Sequence, residues 1–365
     1  MAIAERMARL RARMEATGTD LVVLGPSSHM VYMSTLSPHG DERPVLMVIG
    51  KHKAGFLMPA LNVDSQRSHT DLPFYPWTDA EGPKAALTAL LKDTLGDVAA
   101  PNLVLDETMR ADFALLVLDM LPGARRRFTG DTVSALRAQK DAAEYALLKA
   151  SQMINDGAMQ AGFAALRPGV TELEVAGVIR EYYKANGAAP EFTSVCFGAN
   201  GAFPHHHTGH TALKAGDAVL IDIGGRSKGY PSDMTRVAHM GTPDAEFETV
   251  HGVLEAAVTA AIAAARPGAR AKDVDKAARD VITEAGYGAF FLHRTGHGLG
   301  IDVHEEPYIT GTNERVLEEG NVFSIEPGIY LAGKFGIRLE EIVILRNGRA
   351  EAFSELTRAT HVVAP

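Results

Sequence analysis

A single cysteine, Cys196, stands in the 365-residue chain, so no intrachain disulfide can form and a reducing compartment fits. It lies in the apolar stretch Phe192 to Phe197, where a thiol reads as buried and inert rather than as a nucleophile. Basic residues are in deficit. The formal net charge is −9, and the only dense basic run, Arg125-Arg126-Arg127, reads as a solvated turn beside a strand. Such an acidic balance argues against nucleic acid as a partner, because binding phosphates needs basic surface. No run of 18 apolar residues occurs, so no membrane-spanning helix is expected. The Arg-rich stretch Met1 to Thr19 has apolar residues at helical spacing (Met7, Leu10, Met14) but no signal-peptide core. These absences predict a soluble cytoplasmic protein, long enough for two domains.

What the chain does contain is a long internal repeat. Arg167-Pro168-Gly169 recurs 99 residues on (167 to 266) as Arg266-Pro267-Gly268. At the same offset Val175 matches Val274, Gly187 matches Gly286, Phe192 matches Phe291 and His205 matches His304. After a short insertion, Gly216 to Asp222 parallels Gly320 to Glu326, and Asp233 and Glu340 follow. A unit this long is not a solenoid repeat. It reads as a duplicated α/β half-domain, two similar halves facing each other across one site.

Element signals agree with that division. Residues 1–133 read as a smaller α/β domain: a helix from Ala2, strands near 20–24, 43–49, 55–59, 102–106 and 127–128, and helices 83–95 and 111–121. Residues 134–365 form the repeat-bearing domain, with Ser134 to Lys140 as the junction. Its helices fall near 141–165 and 171–186, followed by strands near 193–197, 218–223 and 235–239. Helices near 245–265 and 271–285, then strands near 322–325 and 337–345, repeat the order. Blocks of this kind suit a curved antiparallel sheet with helices on its outer face.

Five residues form a candidate metal-ligand set: Asp222, Asp233, His297, Glu326 and Glu340. Taken singly, Asp222 also reads as a strand-end turn former, Asp233 as a turn residue and Glu340 as part of a solvated strand face. Glu326, between an apolar strand and Pro327-Gly328, should be partly buried and so needs a partner or a metal. Four carboxylates at matched places of two repeats read together as one site. Oxygen-rich donors with one imidazole suit Mn²⁺ or Co²⁺, with Zn²⁺ or Fe²⁺ as alternatives. Four carboxylates leave excess charge around one ion, whereas two ions balance it. Among the crowded His205, His206, His207 and His210, His205 is singled out by its repeat partner His304; the others read as exposed loop residues. The glycines of Gly296-His297-Gly298-Leu299-Gly300 suggest backbone held close to a bound group, but the run lacks both the GxGxxG spacing and a Walker lysine.

The segments 221–224 (IDIG), 230–236 (YPSDMTR), 293–304 (HRTGHGLGIDVH), 324–330 (SIEPGIY) and 336–340 (GIRLE) resemble the creatinase/prolidase/aminopeptidase P family. The resemblance covers roughly 135–360, and Tyr32-Met33-Ser34-Thr35 looks like that family's YLTG segment in the N-terminal domain. It implies a mixed α/β (α+β) architecture: a C-terminal pita-bread catalytic domain with an internal pseudo-twofold repeat, preceded by a smaller creatinase-like N-terminal α/β domain. It further implies two divalent ions. Asp222 would chelate one, Asp233 and Glu340 would bridge both, and His297 and Glu326 would complete the other. Glu326 would carry a proton to the leaving nitrogen, while His304 and His205 steady the substrate and its oxyanion. The metal-free creatinase branch has lost these ligands, and here all five are present.

The expected activity is hydrolysis of the Xaa-Pro bond, as in bacterial Xaa-Pro dipeptidases, on proline-containing di- or oligopeptides. Alternatives are an aminopeptidase P acting on longer peptides, and a related hydrolase or lyase on a small non-peptide substrate. Some prolidases carry an arginine just after the HE-P segment, suited to gripping a carboxylate, where this chain has Tyr308; Arg294, Arg315 and Arg338 are candidates to replace it. Arg338 is taken as substrate-binding together with His205 and His304. A homodimer is expected, with His39 either a surface turn residue or a contributor to a neighbour's site.

Overall fold

Short, wholly apolar runs build the central sheet of the N-terminal part. Leu21–Leu24, Leu46–Gly50 and Ala54–Pro59 are buried at every position, the pattern of strands covered on both faces. In the computed structural model, which describes residues 2–364, they join Phe74–Trp77, Asn102–Leu105 and Arg125–Phe128 in one six-stranded mixed sheet. The helices Lys84–Leu95 and Ala111–Met120 pack on it through Leu87, Leu90, Phe113 and Val117. Ile3–Ala16 buries Met7, Leu10 and Met14 along one stripe, as their spacing predicts.

Several elements of this unit are not legible in the sequence, among them one strand and one helix. Phe74–Trp77 contains Pro76, which argues against a strand except at a sheet edge, where this one lies. Ser28–Ser34 is a short helix begun by the Ser27 side chain, which accepts from the His29 and Met30 N–H groups. The Arg125-Arg126-Arg127 run, expected as a turn, is itself the opposite edge strand, where charge blunts an open edge.

The chain divides into two compact units, Met1–Arg137 and Ala138–Pro365; Met1 and Pro365, the outer bounds of the expected domains, lie outside the described residues. Within the second unit, Asp141 and Glu144 form a reciprocal capping box at the start of Ala142–Ala164, and Thr171 and Glu174 repeat it at Glu172–Ala185. The strands Ala189–Phe197, Ala218–Ser227 and Met234–Met240 pair antiparallel, and His361–Val363 adds in parallel. The second half opens with the helices Ala245–Ala264 and Ala271–Glu284. Ala245–Ala264 has the length and composition of a membrane span, yet its Phe247, Val250, Leu254 and Val258 sit in the core of this unit.

The duplication is written in main-chain hydrogen bonds. Gly169 N–H donates to the Leu213 carbonyl and Gly268 N–H to the Leu317 carbonyl, each at 2.8 Å. Leu213 and Leu317 then return bonds to Val170 and Ala269, again both at 2.8 Å. The two glycines have φ of 81° and 90°, a region that a Cβ disfavours, which explains why both RPG turns end in glycine.

The single curved sheet expected for this unit is replaced by two five-stranded sheets and a hairpin. The run 337–345, read as one strand, breaks at Leu339-Glu340. Phe335–Arg338 pairs with Gly328–Leu331, while Glu341–Arg346 pairs with Val322–Ile325. At the break, the Glu340 N–H leaves both ladders and meets the Thr235 carbonyl at 3.3 Å.

Candidate active site

Strand register carries four carboxylates to one place. Asp222 lies opposite Thr235, and Asp233 immediately precedes that strand. Ile325 lies opposite Glu341, so Glu326 and Glu340 sit one step beyond, where the two strands diverge. The Glu340–Thr235 main-chain bond joins these pairs. His297, on Gly296–Gly298, completes the group. All five line a cavity of about 450 Å³ together with His205, His304 and Arg338.

Glu340 and Glu341 are buried, so the solvated-face reading of that strand does not hold. The glycines flanking His297 also act otherwise than expected. A Cβ at Gly296 would overlap the Ser324 carbonyl, and one at Gly298 would overlap the Glu306 carbonyl. They admit neighbouring strands, not a ligand, and so press His297 against Glu326.

Hydrogen bonds orient the ligand atoms. The His297 N–H donates to Ser324 Oγ at 2.9 Å, and its Nδ1 lies 3.2 Å from the Gly298 carbonyl, which can only accept. A neutral ring thus carries its proton on Nδ1 and aims the Nε2 lone pair inward. That nitrogen is 3.0 Å from Glu326 Oε1 and 3.7 Å from Asp233 Oδ2. Asp233, His297 and Glu340 offer ligand atoms all within 4.8 Å of one another.

The site is short of positive charge. Burial, then the charges of Glu340, Asp222 and Glu326, push Asp233 well above the carboxylate range. Burial, then Glu326 and Asp222, do the same to Glu340. Burial also raises Asp222, against the pull of Arg338. Glu326 goes the other way: burial opposes ionisation, but His297, Arg338 and His293 together hold it at about 2. Asp222 Oδ1 and Glu340 Oε1 are buried with no hydrogen-bond partner, a costly state for a carboxylate oxygen. Orphaned oxygens, crowded carboxylates and an inward imidazole lone pair fit hard divalent cations.

Against this geometry the comparisons with known proteins are specific. Residues 146–347 match the model of metallopeptidase family M24, and residues 6–138 match the creatinase/prolidase N-terminal domain. The chain belongs to metallopeptidase family M24. It is 36% identical over 349 residues to a probable dipeptidase PepE of Mycobacterium tuberculosis, covering 94% of this chain and 92% of that protein. An Xaa-Pro dipeptidase of Lactobacillus helveticus is 32% identical over 363 residues, covering 97% and 98%. The crystal structure of dipeptidase PepE from Mycobacterium ulcerans superposes with a TM-score of 0.94 at 34% identity, covering 100% of this chain and 98% of that one. The architecture is therefore the pita-bread fold preceded by the creatinase-like domain, and the M24 protein is a hydrolase of a family that works with divalent metal ions.

The remaining predicted residues of the M24 site take distinct positions. The His304 ring packs edge-on against His297 at 4.1 Å between centroids, and burial, then His297 and Arg294, lower its pKa to about 4. His205 is exposed on the loop that rims the cavity. Its neighbour His206, expected as an exposed loop residue, instead lies half-buried with Nε2 3.2 Å from Glu172. The fully buried Glu172 also accepts from the Phe197 and Gly209 N–H groups and from Asn200, pinning that loop at several points. Arg338, read as substrate-binding, has all three nitrogens committed to protein acceptors. Nη2 donates to Asp222 at 2.7 Å, Nε to Thr235 Oγ1 at 2.9 Å and Nη1 to the Tyr330 hydroxyl at 2.8 Å.

One lining residue, His293, carries no role in the sequence reading, and Arg294 enters there only as one of three candidates for a substrate carboxylate, although both lie in the 293–304 segment. That stretch is irregular up to Gly296, so no periodicity told which side chains point inward. A second group able to meet a cation, His29, Asp106 and Glu107, lies in the first unit. Its acceptors are already taken. Asp106 accepts from Gly25, Ser27 and Thr108, Glu107 from Thr129, and His29 Nδ1 from Arg137.

Proposed function

We propose that this M24 hydrolase cleaves the Xaa-Pro bond of dipeptides. The observation that carries the reading is the convergence of Asp222, Asp233, His297, Glu326 and Glu340 on one cavity with two orphaned carboxylate oxygens. Its relatives, a probable dipeptidase and an Xaa-Pro dipeptidase, support the substrate class. Two divalent ions, Mn²⁺ or Co²⁺ first, would be held by Asp222, Asp233, His297, Glu326 and Glu340. Bound there, they supply Lewis acidity for the scissile carbonyl and a lowered pKa for the attacking water.

The chain's own residues do the rest. Glu326, held as carboxylate, takes the proton from the attacking water and delivers it to the prolyl nitrogen, which cannot leave unprotonated. His304 is neutral at pH 7 and presents a hydrogen bond to the carbonyl oxygen as charge develops on it. His205, exposed on the loop at the cavity, steadies the substrate. Arg338 keeps Asp222 in place directly and Glu340 through Thr235. The enzyme acts in the cytoplasm as a homodimer under this reading.

The test uses metal-stripped protein resupplied with Mn²⁺, Co²⁺ or Zn²⁺, and compares an Xaa-Pro dipeptide, an Xaa-Pro-Yaa tripeptide and a proline-free control. Metal-dependent cleavage of the dipeptide is expected. Preference for the tripeptide would move the enzyme to the aminopeptidase P activity, and silence on all three would reject the reading. Glu326→Gln should lower kcat by at least about 100-fold, the upper part of the range for acid–base groups being accessible here because one residue serves both transfers. Near-normal turnover by that variant would sink its role.

A further inference from the structure

One buried carboxylate is added to the duplicated frame. The start of Glu172–Ala185 is stitched to the chain that follows by the Glu172 N–H to the Thr211 carbonyl at 3.1 Å and the Leu173 N–H to the Gly209 carbonyl at 3.0 Å. In the second half the Ala271 N–H meets the Arg315 carbonyl and the Lys272 N–H the Asn313 carbonyl, each at 2.9 Å. The counterpart of Glu172 is thus Ala271, at the same 99-residue offset as the RPG turns. The shared stitching forms with alanine in that place, so the Glu172 side chain has a task that belongs to the first half.

Its bonds show the task. Oε1 accepts from the Phe197 N–H and from Asn200 Nδ2, each at 2.8 Å. Oε2 accepts from the Gly209 N–H at 2.8 Å and from His206 Nε2 at 3.2 Å. Both ends of the loop 197–209 therefore close on one carboxylate, through bonds strengthened by its charge. Between them Phe203 to His206 forms a tight turn: the Phe203 N–H meets the Asn200 carbonyl at 3.2 Å, and the His206 N–H meets the Phe203 carbonyl at 3.0 Å. His205 is a central residue of that turn and is exposed. Its repeat partner His304 is steadied by the His297 ring, whereas His205 is steadied from beneath by the residue next to it.

We propose that Glu172 and His206 are positioning residues: the buried carboxylate grips the His206 ring and so fixes the turn that presents His205 to the cavity. Glu172 is fully buried and His206 does not line the cavity, so both act through His205. A histidine on a loop already set loses less freedom when substrate arrives, and the reacting groups meet in register. The assignment rests on the dipeptidase reading above and on the place that reading gives His205.

The experiment is a double-mutant cycle in full-length, metal-loaded protein: wild type, His205→Ala, His206→Ala and His205→Ala/His206→Ala. His206→Gln joins them as the variant that keeps an N–H donor at the Nε2 position. kcat/KM is read on an Xaa-Pro dipeptide, and Mn²⁺ affinity by calorimetric titration of the metal-stripped proteins. His206→Ala should lower kcat/KM about 10-fold, the size of one charge-assisted hydrogen bond. Once His205 is alanine the same change should cost less than about twofold, because residues that act through one another are not additive. His206→Gln should retain most of the wild-type value, and Mn²⁺ affinity should be the same in all five proteins. Amide hydrogen exchange at Phe197 and Gly209 should quicken in Glu172→Gln, where an amide nitrogen replaces one of the two accepting oxygens. Equal loss from His206→Ala in both backgrounds, no loss at all, or a loss that follows Mn²⁺ affinity overturns the assignment. So does a His205→Ala protein as active as wild type, or unchanged exchange at both amides in Glu172→Gln. In each of these cases cleavage of the dipeptide by wild type leaves the parent reading standing, and failure of wild type to cleave it removes both.

Discussion

Thr235→Val replaces one hydroxyl by a methyl of the same shape, at a fully buried point where two charged residues meet. Its Oγ1 accepts from Arg338 Nε and donates to Glu340 Oε2, each at 2.9 Å. Hydrogen bonds to charged groups contribute roughly 1.5–3 kcal/mol each. In metal-free protein the loss should be smaller than two such bonds. Burial already drives Glu340 towards its neutral acid, and Arg338 keeps Asp222 and Tyr330. We expect about 1–2 kcal/mol, seen as a fall in melting temperature of roughly 2–8 °C. Under the proposed ligand set metal binding needs Glu340 ionised and aimed, so affinity should suffer more, by about 10–100-fold, as when other partners that orient ligands are removed. Calorimetric titration of Mn²⁺ into metal-stripped wild type, Thr235→Val and Thr235→Ser separates the two effects, with serine retaining the wild-type affinity. A Thr235→Val protein that binds Mn²⁺ within about twofold of wild type would refute the role given to this hydroxyl.

Further outcomes follow from other parts of the molecule. Lys140 and Glu305 form an ion pair at 2.6 Å with side chains only 1% and 7% exposed. Lys140→Met should lower unfolding stability by about 3–5 kcal/mol, because a buried carboxylate loses the cation beside it, and Lys140→Met/Glu305→Gln should recover part of it. A loss under about 1 kcal/mol in urea titration of the single variant would contradict this. In the first unit, burial opposes ionisation of Glu107, but bonds with His29 and Thr129 hold it at about 2. A depressed carboxylate stabilises fully above its unfolded value near 4.3 and loses that effect as pH falls towards 2. The stability difference between wild type and Glu107→Gln should therefore be level from pH 7 to about 5 and shrink below that; a difference that grows on acidification would show the sign to be wrong. Metal-stripped enzyme should melt at a higher temperature when Mn²⁺ is restored, by an amount that grows with ion concentration, since binding to the folded state alone is stabilising.

The duplication was legible because its signals are local. Arg-Pro-Gly at 167 and 266 closes the same positive-φ turn twice, and helix starts at Asp141 and Thr171 carry capping residues that act within four positions. Apolar periodicity likewise marked Ile3–Ala16, and the carboxylates could be paired off because the repeat aligned them. The sequence misled where a residue's fate depended on a distant chain. Glycines 296 and 298 suggested ligand space, yet each is required by a carbonyl of another strand, at Ser324 and Glu306. One run, 337–345, serves two different sheets, and no pattern within it says where it switches.

By itself, then, the sequence determined the two α/β regions, the repeat and the identity of five side chains that line one cavity, since turns, caps and periodicity act over a few residues. Only the tertiary structure decided which cation at the cavity is available. Arg294, Arg315 and Arg338 are chemically alike in sequence, but Arg338 is claimed by Asp222, Thr235 and Tyr330, Arg315 by Glu306, and Arg294, among the described residues, rests on the Tyr308 ring. A guanidinium's task is set by the acceptors that reach it, and those come from strands more than ten residues away in the chain as often as from beside it.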